Sequence, residues 1–318
     1  MRDRIYDWYG FDTNARMARI VGVSELRAGW PEGKVTGAWS NLGPDGTRHM
    51  LSVFTPIAQQ LEWLRRVAPR YLTTIPSNLY ELAEAAGGAE KEIGIEAVVT
   101  TGSALLPDAR SLAGKAFGAR VIETYGCEEV GLIAIECPAS GHLHVGLENM
   151  IVEVLDEKDD PVEPGGIGRV VVTCLHNFAT PLLRYEIGDL VETSAGPCPC
   201  GRTSPTLRRV IGRIRKAIIF PDGTRVRPHV LVTAAGVPDY LPARQFQIAQ
   251  TAPETFEIRY VPREAGLRHS ENIQERFRKM VHPAVRVVLV PVKEIPRGPR
   301  GKHEDFVYLE DSKENTDS

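Results

Sequence analysis

Two groups of residues have the types and spacing to do chemistry. The first begins at Tyr125-Gly126-Cys127-Glu128-Glu129-Val130-Gly131, where an aromatic ring, a glycine and two carboxylates follow a strand-like run. An aromatic face can stack on a purine, a glycine lets backbone approach it, and carboxylate oxygens suit magnesium. Arg184-Tyr185-Glu186-Ile187-Gly188-Asp189 then ends in Gly-Asp, which reads as a strand giving way to a turn whose carboxylate can accept two hydrogen bonds from a ribose diol. Gly212-Arg213 offers a glycine hinge and a cation that reaches phosphate. Gly301-Lys302, in a glycine-rich basic stretch, offers a second cation to offset charge on a phosphate or carboxylate oxygen. Taken singly, each also has an ordinary reading: a structural turn, a surface ion pair, a basic linker, a solvated loop.

The second group is Cys137, His142, His144, Cys198 and Cys200. Thiolate and imidazole are suitable zinc ligands, and a Cys-x-Cys pair with a distant Cys and His would close a tetrahedron on the metal. The alternative is a set of buried free thiols near surface histidines. Cys127 and Cys174 lie in or beside strand-like segments and read as packing residues.

Several elements must position these groups. Between 59 and 86 the apolar residues recur at helical spacing, with Leu61, Leu64 and Val67 on one stripe and Leu79, Leu82 and Ala83 on another, and Pro76-Ser77 opening the second helix. Residues 95–100, 107–117 and 120–124 read as strand, helix and strand, a β-α-β unit with ligand-binding turns at its strand ends. Residues 150–155 and 168–173 read as a hairpin joined by the Asp, Pro and Gly-rich stretch 156–166. Composition shifts at 194–215, where Cys, Pro, Gly and Arg replace the apolar alternation. Beyond it, strands are predicted near 217–220, 245–249, 256–261 and 285–292, with a helix near 271–280.

A chain of 318 residues with 42% hydrophobic and 25% charged residues has room for two globular domains. The net charge of -3 argues against a general nucleic-acid binder, although basic clusters at 207–216 and 297–302 suit a small phosphate-bearing ligand. There is no apolar run of membrane-spanning length and no signal-peptide core after Met1, so a cytoplasmic protein without membrane partners is expected. Five cysteines without a secretion signal point away from a disulfide framework.

The order Pro76-Ser77, Gly102-Ser103, Tyr125 to Glu129, Tyr185 to Asp189, Gly212 to Lys216 and Gly301-Lys302 resembles the adenylate-forming acyl-CoA synthetase superfamily. The stretches Leu72 to Glu84 and Cys198 to Arg202 make it look most like the phenylacetate-coenzyme A ligase branch. The resemblance implies an α/β fold: a large nucleotide- and acyl-binding domain over 1–211, short at its N-terminus, a hinge at 212–217, a small α+β lid over 218–310 and a disordered tail at 311–318. It implies that ATP and an organic carboxylic acid, with aromatic acids among the candidates, form an acyl-adenylate, which coenzyme A then converts to a thioester. Tyr125 and Gly126 would meet adenine, with Gly102 and Ser103 along its edge; Glu129 would bind magnesium, Asp189 the ribose hydroxyls, and Arg213 ribose or phosphate. Lys216 falls at the family's hinge position, and Lys302 matches the catalytic lysine. Some members of the branch carry the same cysteines, which implies a structural zinc on Cys137, His144, Cys198 and Cys200, with His142 as substitute. Dimers are frequent in the family, so a homodimer is among the assemblies it implies.

Two departures bear on activity. Glu128 stands where many members have Thr or Ser on the AMP phosphate, and a carboxylate there repels phosphate unless magnesium or a proton offsets it. The Ser/Thr/Gly-rich loop that holds the ATP β- and γ-phosphates has no equivalent in residues 1–75; Gly43 to Arg48 is the nearest stretch and reads as a turn between strands. Three explanations follow: an N-terminal region cut away, a separate polypeptide supplying it, or a protein that no longer splits ATP. Two rival functions go with them, an AMP- or adenylate-binding protein without ligase activity, and an adenylating subunit that hands its acyl group to an amine, an alcohol or a carrier protein.

Overall fold

A computed structural model describes residues 2–87, 93–105, 107–214, 218–226, 243–262, 270–296 and 304–308. The chain divides into two units, Met1–Gly212 and Arg213–Ser318. The first is built on one large sheet of β1 (Met17–Val21), β2 (Lys34–Thr36), β3 (Arg48–Ser52), β4 (Tyr71–Thr74), β5 (Ala97–Thr100), β6 (Arg120–Cys127), β7 (Gly131–Glu136), β8 (Leu143–Val145), β9 (Met150–Leu155), β10 (Ile167–Cys174), β11 (Tyr185–Thr193) and β12 (Thr206–Arg213). Its order is β2-β3-β1-β4-β5-β6-β7-β8-β12-β11-β10-β9. Strands β3, β1, β4, β5 and β6 run parallel, and from β6 to β8 the sheet continues antiparallel.

The apolar stripes fold as read. Helix α3 (Ile57–Val67) follows α1 (Arg2–Tyr9) and the short α2 (Glu25–Ala28), and it buries Leu61, Leu64 and Val67. It stops at Ala68, whose φ of 44° breaks the helical repeat. Helix α4 (Pro76–Ala86) starts on a proline, buries Leu79, Leu82 and Ala83, and is capped by Gly87 at φ 58°. A strand absent from the sequence reading, β4, separates the two helices. With α5 (Pro107–Phe117) they cover one face of the parallel strands, around Ile20, Leu51, Leu72 and Val98. An aromatic group from the N-terminal segment packs the other face: Phe11 stacks on Tyr71 at 4.0 Å, and Tyr6 meets Trp39 edge-on at 4.6 Å. The β5-α5-β6 unit and the β9-β10 hairpin are present as predicted.

In the second unit, β15 (Ala243–Ala252), β16 (Thr255–Pro262), β17 (Arg286–Pro291) and β18 (Phe306–Val307) form a sheet in the order β17-β16-β15-β18. The helix Ser270–Met280 lays Ile273 and Phe277 on a core that includes Phe220, Phe256, Ile258 and Phe306. A small hairpin, β13 (Ile218–Ile219) with β14 (Arg225–Val226), turns at Asp222-Gly223. The α/β class with a large sheet unit and a smaller C-terminal α+β unit is therefore borne out.

Candidate active site and metal centre

Strand β6 runs further into the Tyr125 to Gly131 motif than its sequence suggests. Tyr125, Gly126 and Cys127 are still strand, pairing with Ala134, Leu132 and Gly131 of β7, and only Glu128, Glu129 and Val130 form the turn. The reason is steric: a Cβ on Gly126 would lie 2.4 Å from the carbonyl oxygen of Gly131, so only glycine lets the two strands close here. Both carboxylates of the turn are exposed. Burial pushes the Cys127 thiol up to about 11, with Glu129 adding to the shift and the Val130 backbone N–H opposing it. The thiol is protonated at neutral pH and reads as a packing group, not a nucleophile.

Asp189 was expected at a turn, but it lies inside β11. The pairing of β10 with β11 runs Arg169 with Leu190 and then Val171 with Glu186, so the stretch through Ile187, Gly188 and Asp189 bulges out of register. Gly188 sits at φ 76°, a conformation that favours glycine. Asp189 is 8% exposed, and the Tyr125 hydroxyl donates to its Oδ2 at 2.9 Å. The Tyr125 ring packs among Ile133, Val145, Val172 and Ile187. Two motif residues 64 positions apart thus meet directly.

The Gly102-Ser103 loop follows β5 and is tied to β6. Thr124 Oγ1 donates to the Thr100 carbonyl at 2.7 Å, Thr100 Oγ1 to the Ile122 carbonyl at 3.2 Å, and the Leu105 N–H to Glu123 Oε1 at 3.2 Å. Gly102 takes φ 93°. Behind β6, Arg110 of α5 grips buried Glu136 with two bonds of 3.0 and 2.8 Å, and Glu136 also accepts the Glu123 N–H at 2.7 Å. Sequence reading missed this brace, because neither residue belongs to a motif. Arg213 is exposed and belongs to the second unit. Lys216 and Lys302 lie outside the described residues.

Gly43 and Gly46, in the stretch nearest to a phosphate loop, lie between β2 and β3. A Cβ on either would come within 2.4 Å of Thr13 backbone, so these glycines serve close packing against the N-terminal segment.

The cysteine group converges. Cys137 follows β7, His144 lies in β8, and Cys198 and Cys200 lie on the loop before β12, which pairs with β8 at Thr206 and His144. Their four ligand atoms all lie within 4.8 Å of one another. The Cys198 and Cys137 sulfurs are 3.7 Å apart, the spacing of two thiolates on one tetrahedral zinc with Zn–S bonds of about 2.3 Å. His144 Nε2 lies 3.2 Å from Cys200 Sγ, while its Nδ1 meets Ser204 Oγ at 2.9 Å, an arrangement that aims Nε2 into the cluster. His142 turns away, with Nδ1 3.0 Å from Ser194 Oγ, so it is not among the four. Burial pushes the Cys200 thiol up, but hydrogen bonds from Arg202, Cys198 and Cys137 outweigh it and bring it down to about 6; the neighbouring Cys198 is pushed up by burial. The donor set fits zinc. Trp8 of α1 packs edge-on to His144 at 5.5 Å, and the Arg202 guanidinium lies 4.1 Å over the Trp8 ring, so the N-terminal helix rests on the cluster.

This is the fold of the adenylate-forming acyl-CoA ligases, with the motif turn and the cysteine cluster on its first unit. Among curated proteins the chain is similar to a phenylacetate-coenzyme A ligase of Thermus thermophilus, at 25% identity over 273 residues, 77% of this chain and 61% of the relative. The chain therefore spans less than two thirds of that relative's length. No family model matches. Among solved structures, 2-hydroxyisobutyryl-CoA ligase in the postadenylation state superposes with a TM-score of 0.73 at 20% identity, over 98% of this chain and 70% of that one. A benzoate CoA ligase from Burkholderia xenovorans LB400 gives 0.63 at 13% identity, over 95% of this chain and 64% of the other. At these identities the structural likeness speaks for the fold, and the resemblance to the superfamily and its phenylacetate-CoA ligase-like branch is borne out.

Proposed function

We propose that this chain carries the nucleotide- and carboxylate-handling part of an AMP-forming acid-thiol ligase, a cytoplasmic enzyme that joins an organic acid to coenzyme A through an acyl-adenylate. The observation that carries the reading is the meeting of Tyr125 and Asp189, in a sequence that matches a phenylacetate-coenzyme A ligase over 77% of its length. Asp189 holds the ribose diol, and Tyr125 with the Gly102-Ser103 loop forms the adenine edge. Glu129, exposed on the hairpin turn, suits magnesium, which usually takes one or two carboxylates and completes its shell with water and phosphate oxygens. Bound there, magnesium would offset phosphate charge, including the repulsion that Glu128 introduces. Arg213 and Lys302 keep the phosphate-contacting and catalytic roles that the resemblance implies, and Lys216 that of the hinge. Rate then comes from holding the carboxylate in line with the α-phosphate and from charge offset, with no covalent enzyme nucleophile. A structural zinc on Cys137, His144, Cys198 and Cys200 fastens the loop before β12 to β7 and β8.

A second reading is favoured by one observation: the Gly43 to Arg48 stretch is packed against Thr13 and offers no phosphate loop. Under it, the protein binds AMP or an acyl-adenylate, and ATP splitting needs a segment supplied from outside these residues. Calorimetry with AMP, followed by pyrophosphate release with ATP, magnesium, coenzyme A and a panel of aryl and alkyl acids, separates the two. AMP binding with acid-dependent pyrophosphate supports the ligase. AMP binding without pyrophosphate supports the second reading, and no AMP binding removes both.

A further inference from the structure

We infer that Cys137 and Cys198 form a peroxide-sensitive dithiol, in which a disulfide closes within the cysteine cluster and clasps the loop before β12 to the end of β7. The inference goes beyond the ligase reading and does not depend on it; it stands on the placement of the sulfurs, with or without an ion among them.

The two residues stand 61 positions apart, yet their sulfurs lie at 3.7 Å and need only close to the ~2.05 Å of a disulfide. Cys137 is the fixed partner: it is 1% exposed, its N–H donates to the His142 carbonyl at 2.7 Å, and its own carbonyl accepts the Gly141 N–H at 2.9 Å. Cys198 is the adjustable one, because the stretch Gly196-Pro197-Cys198-Pro199-Cys200-Gly201 belongs to no helix or strand. A cavity of about 370 Å³ is lined by Cys198 with Ser194, Thr203 and Ser204, and neither Cys137 nor Cys200 is part of its wall. Hydrogen peroxide is close to water in size and fits such a space, so Cys198 is the thiol it meets there. Ser140 Oγ lies 3.2 Å from Cys198 Sγ, where its hydroxyl can donate to an attacking thiolate. Cys200 is more open to solvent, but its sulfur faces His144 Nε2 at 3.2 Å, and a bond from it to Cys198 would span only Pro199, whose ring fixes φ.

The Cys198 thiolate attacks one peroxide oxygen, the O–O bond breaks, and the departing hydroxide takes up the thiol's proton as water, leaving a sulfenic acid. The Cys137 sulfur then attacks the sulfenic sulfur; an S–S bond forms, the S–O bond breaks, and the hydroxyl leaves with the Cys137 proton as a second water. Two thiols thus lose two electrons and two protons, and one peroxide becomes two waters. The new bond closes a long loop, so it constrains the unfolded chain and holds the cluster shut.

The test uses the whole chain, purified under reductant and analysed for metal, then treated with hydrogen peroxide, quenched in acid, alkylated and mapped by peptide mass spectrometry. Two of the five thiols should disappear into a peptide pair that joins Cys137 to Cys198, dithiothreitol should restore both, and Cys127 and Cys174 should remain alkylated. Any zinc the protein carries should be released as the link forms, as read with a metal dye; zinc-free protein should form the link without that signal, so the metal centre and the dithiol are judged separately. Cys200→Ser should form the same link, and in Cys198→Ser the Cys137 thiol should stay reduced. Alkylation of all five cysteines after peroxide overturns the inference, as does a link that pairs Cys200 in place of either residue, or equal oxidation of all five. Should a variant not fold, the wild-type peptide map decides alone. In urea with a chelator present, the oxidised chain should unfold at a higher midpoint than the same chain reduced again, and an equal or lower midpoint removes the clasp.

Discussion

The Tyr125 to Gly131 hairpin and the cysteine knuckle sit on the same sheet unit and solve the same problem in opposite ways. Each gathers polar side chains from distant parts of the chain into a largely buried place. At Tyr125 and Asp189 the groups are a donor and an acceptor, and they bond directly to one another. At Cys137, His144, Cys198 and Cys200 the groups are all ligand atoms, crowded to within 4.8 Å. Thiols are weak donors and weak acceptors, so such crowding gains little unless an ion sits among them. The first region is held by a hydrogen bond of its own, whereas the second has a donor set that an ion would draw together.

The difference is broken most sharply by testing for an ion at the cysteine cluster. Metal analysis of protein made without a histidine tag should find stoichiometric zinc. Stripping it with a chelator, or substituting Cys198→Ser, should lower unfolding stability by about 4 kcal/mol or more, because metal binding is coupled to folding. The loss should include release of α1, whose Trp8 rests on His144, and Trp8 fluorescence would report it. Absence of zinc, or equal melting temperatures with and without chelator, would sink the metal centre. The Tyr125→Phe change, by contrast, should cost about 1 kcal/mol of stability.

Glycines sharpen the comparison at a smaller scale. In the Tyr125 to Gly131 hairpin a Cβ on Gly126 would meet the Gly131 carbonyl at 2.4 Å, whereas a Cβ on Gly201, beside the knuckle, would meet nothing within 4 Å, so that position is constrained only by its φ of 79°. Gly126→Ala should therefore destabilise by about 2–3 kcal/mol through backbone collision, and Gly201→Ala by about 1 kcal/mol through conformation alone. Denaturant unfolding of the two variants checks the order. Equal costs would mean that the hairpin relaxes around the methyl group.

These contrasts show what the sequence could reveal. The knuckle was legible because soft ligands are rare and Cys198 and Cys200 stand one residue apart. The β5-α5-β6 unit was legible from its change of period. Strand β4 was not, since Tyr71–Thr74 is short and buried on both faces, so no alternation marks it. Gly188-Asp189 reads as a turn because Gly-Asp usually turns a chain; here Gly188 bends a strand instead. Nor could its bond to Tyr125 be read, because it depends on two register slips, and slips follow from packing rather than residue type.

The subtlest contrast lies in the response to pH. Glu123 supports the Gly102-Ser103 loop through the Leu105 N–H, and burial raises its pKa above the ordinary 4.5, against that hydrogen bond, with Glu136 adding to the rise. The folded state then holds a proton that the unfolded state has released. The contribution is intact below the unfolded value and is lost as pH rises through the folded one. Cys200 shifts the other way: hydrogen bonds from Arg202, Cys198 and Cys137 lower it against the upward push of burial. Denaturant midpoints of wild type and Glu123→Gln, followed from about pH 4 to neutrality, should show wild type losing ground to the variant as pH rises. A constant difference across that range would mean that Glu123 titrates alike in both states, leaving the hydrogen bond to Leu105 as its whole effect on the loop.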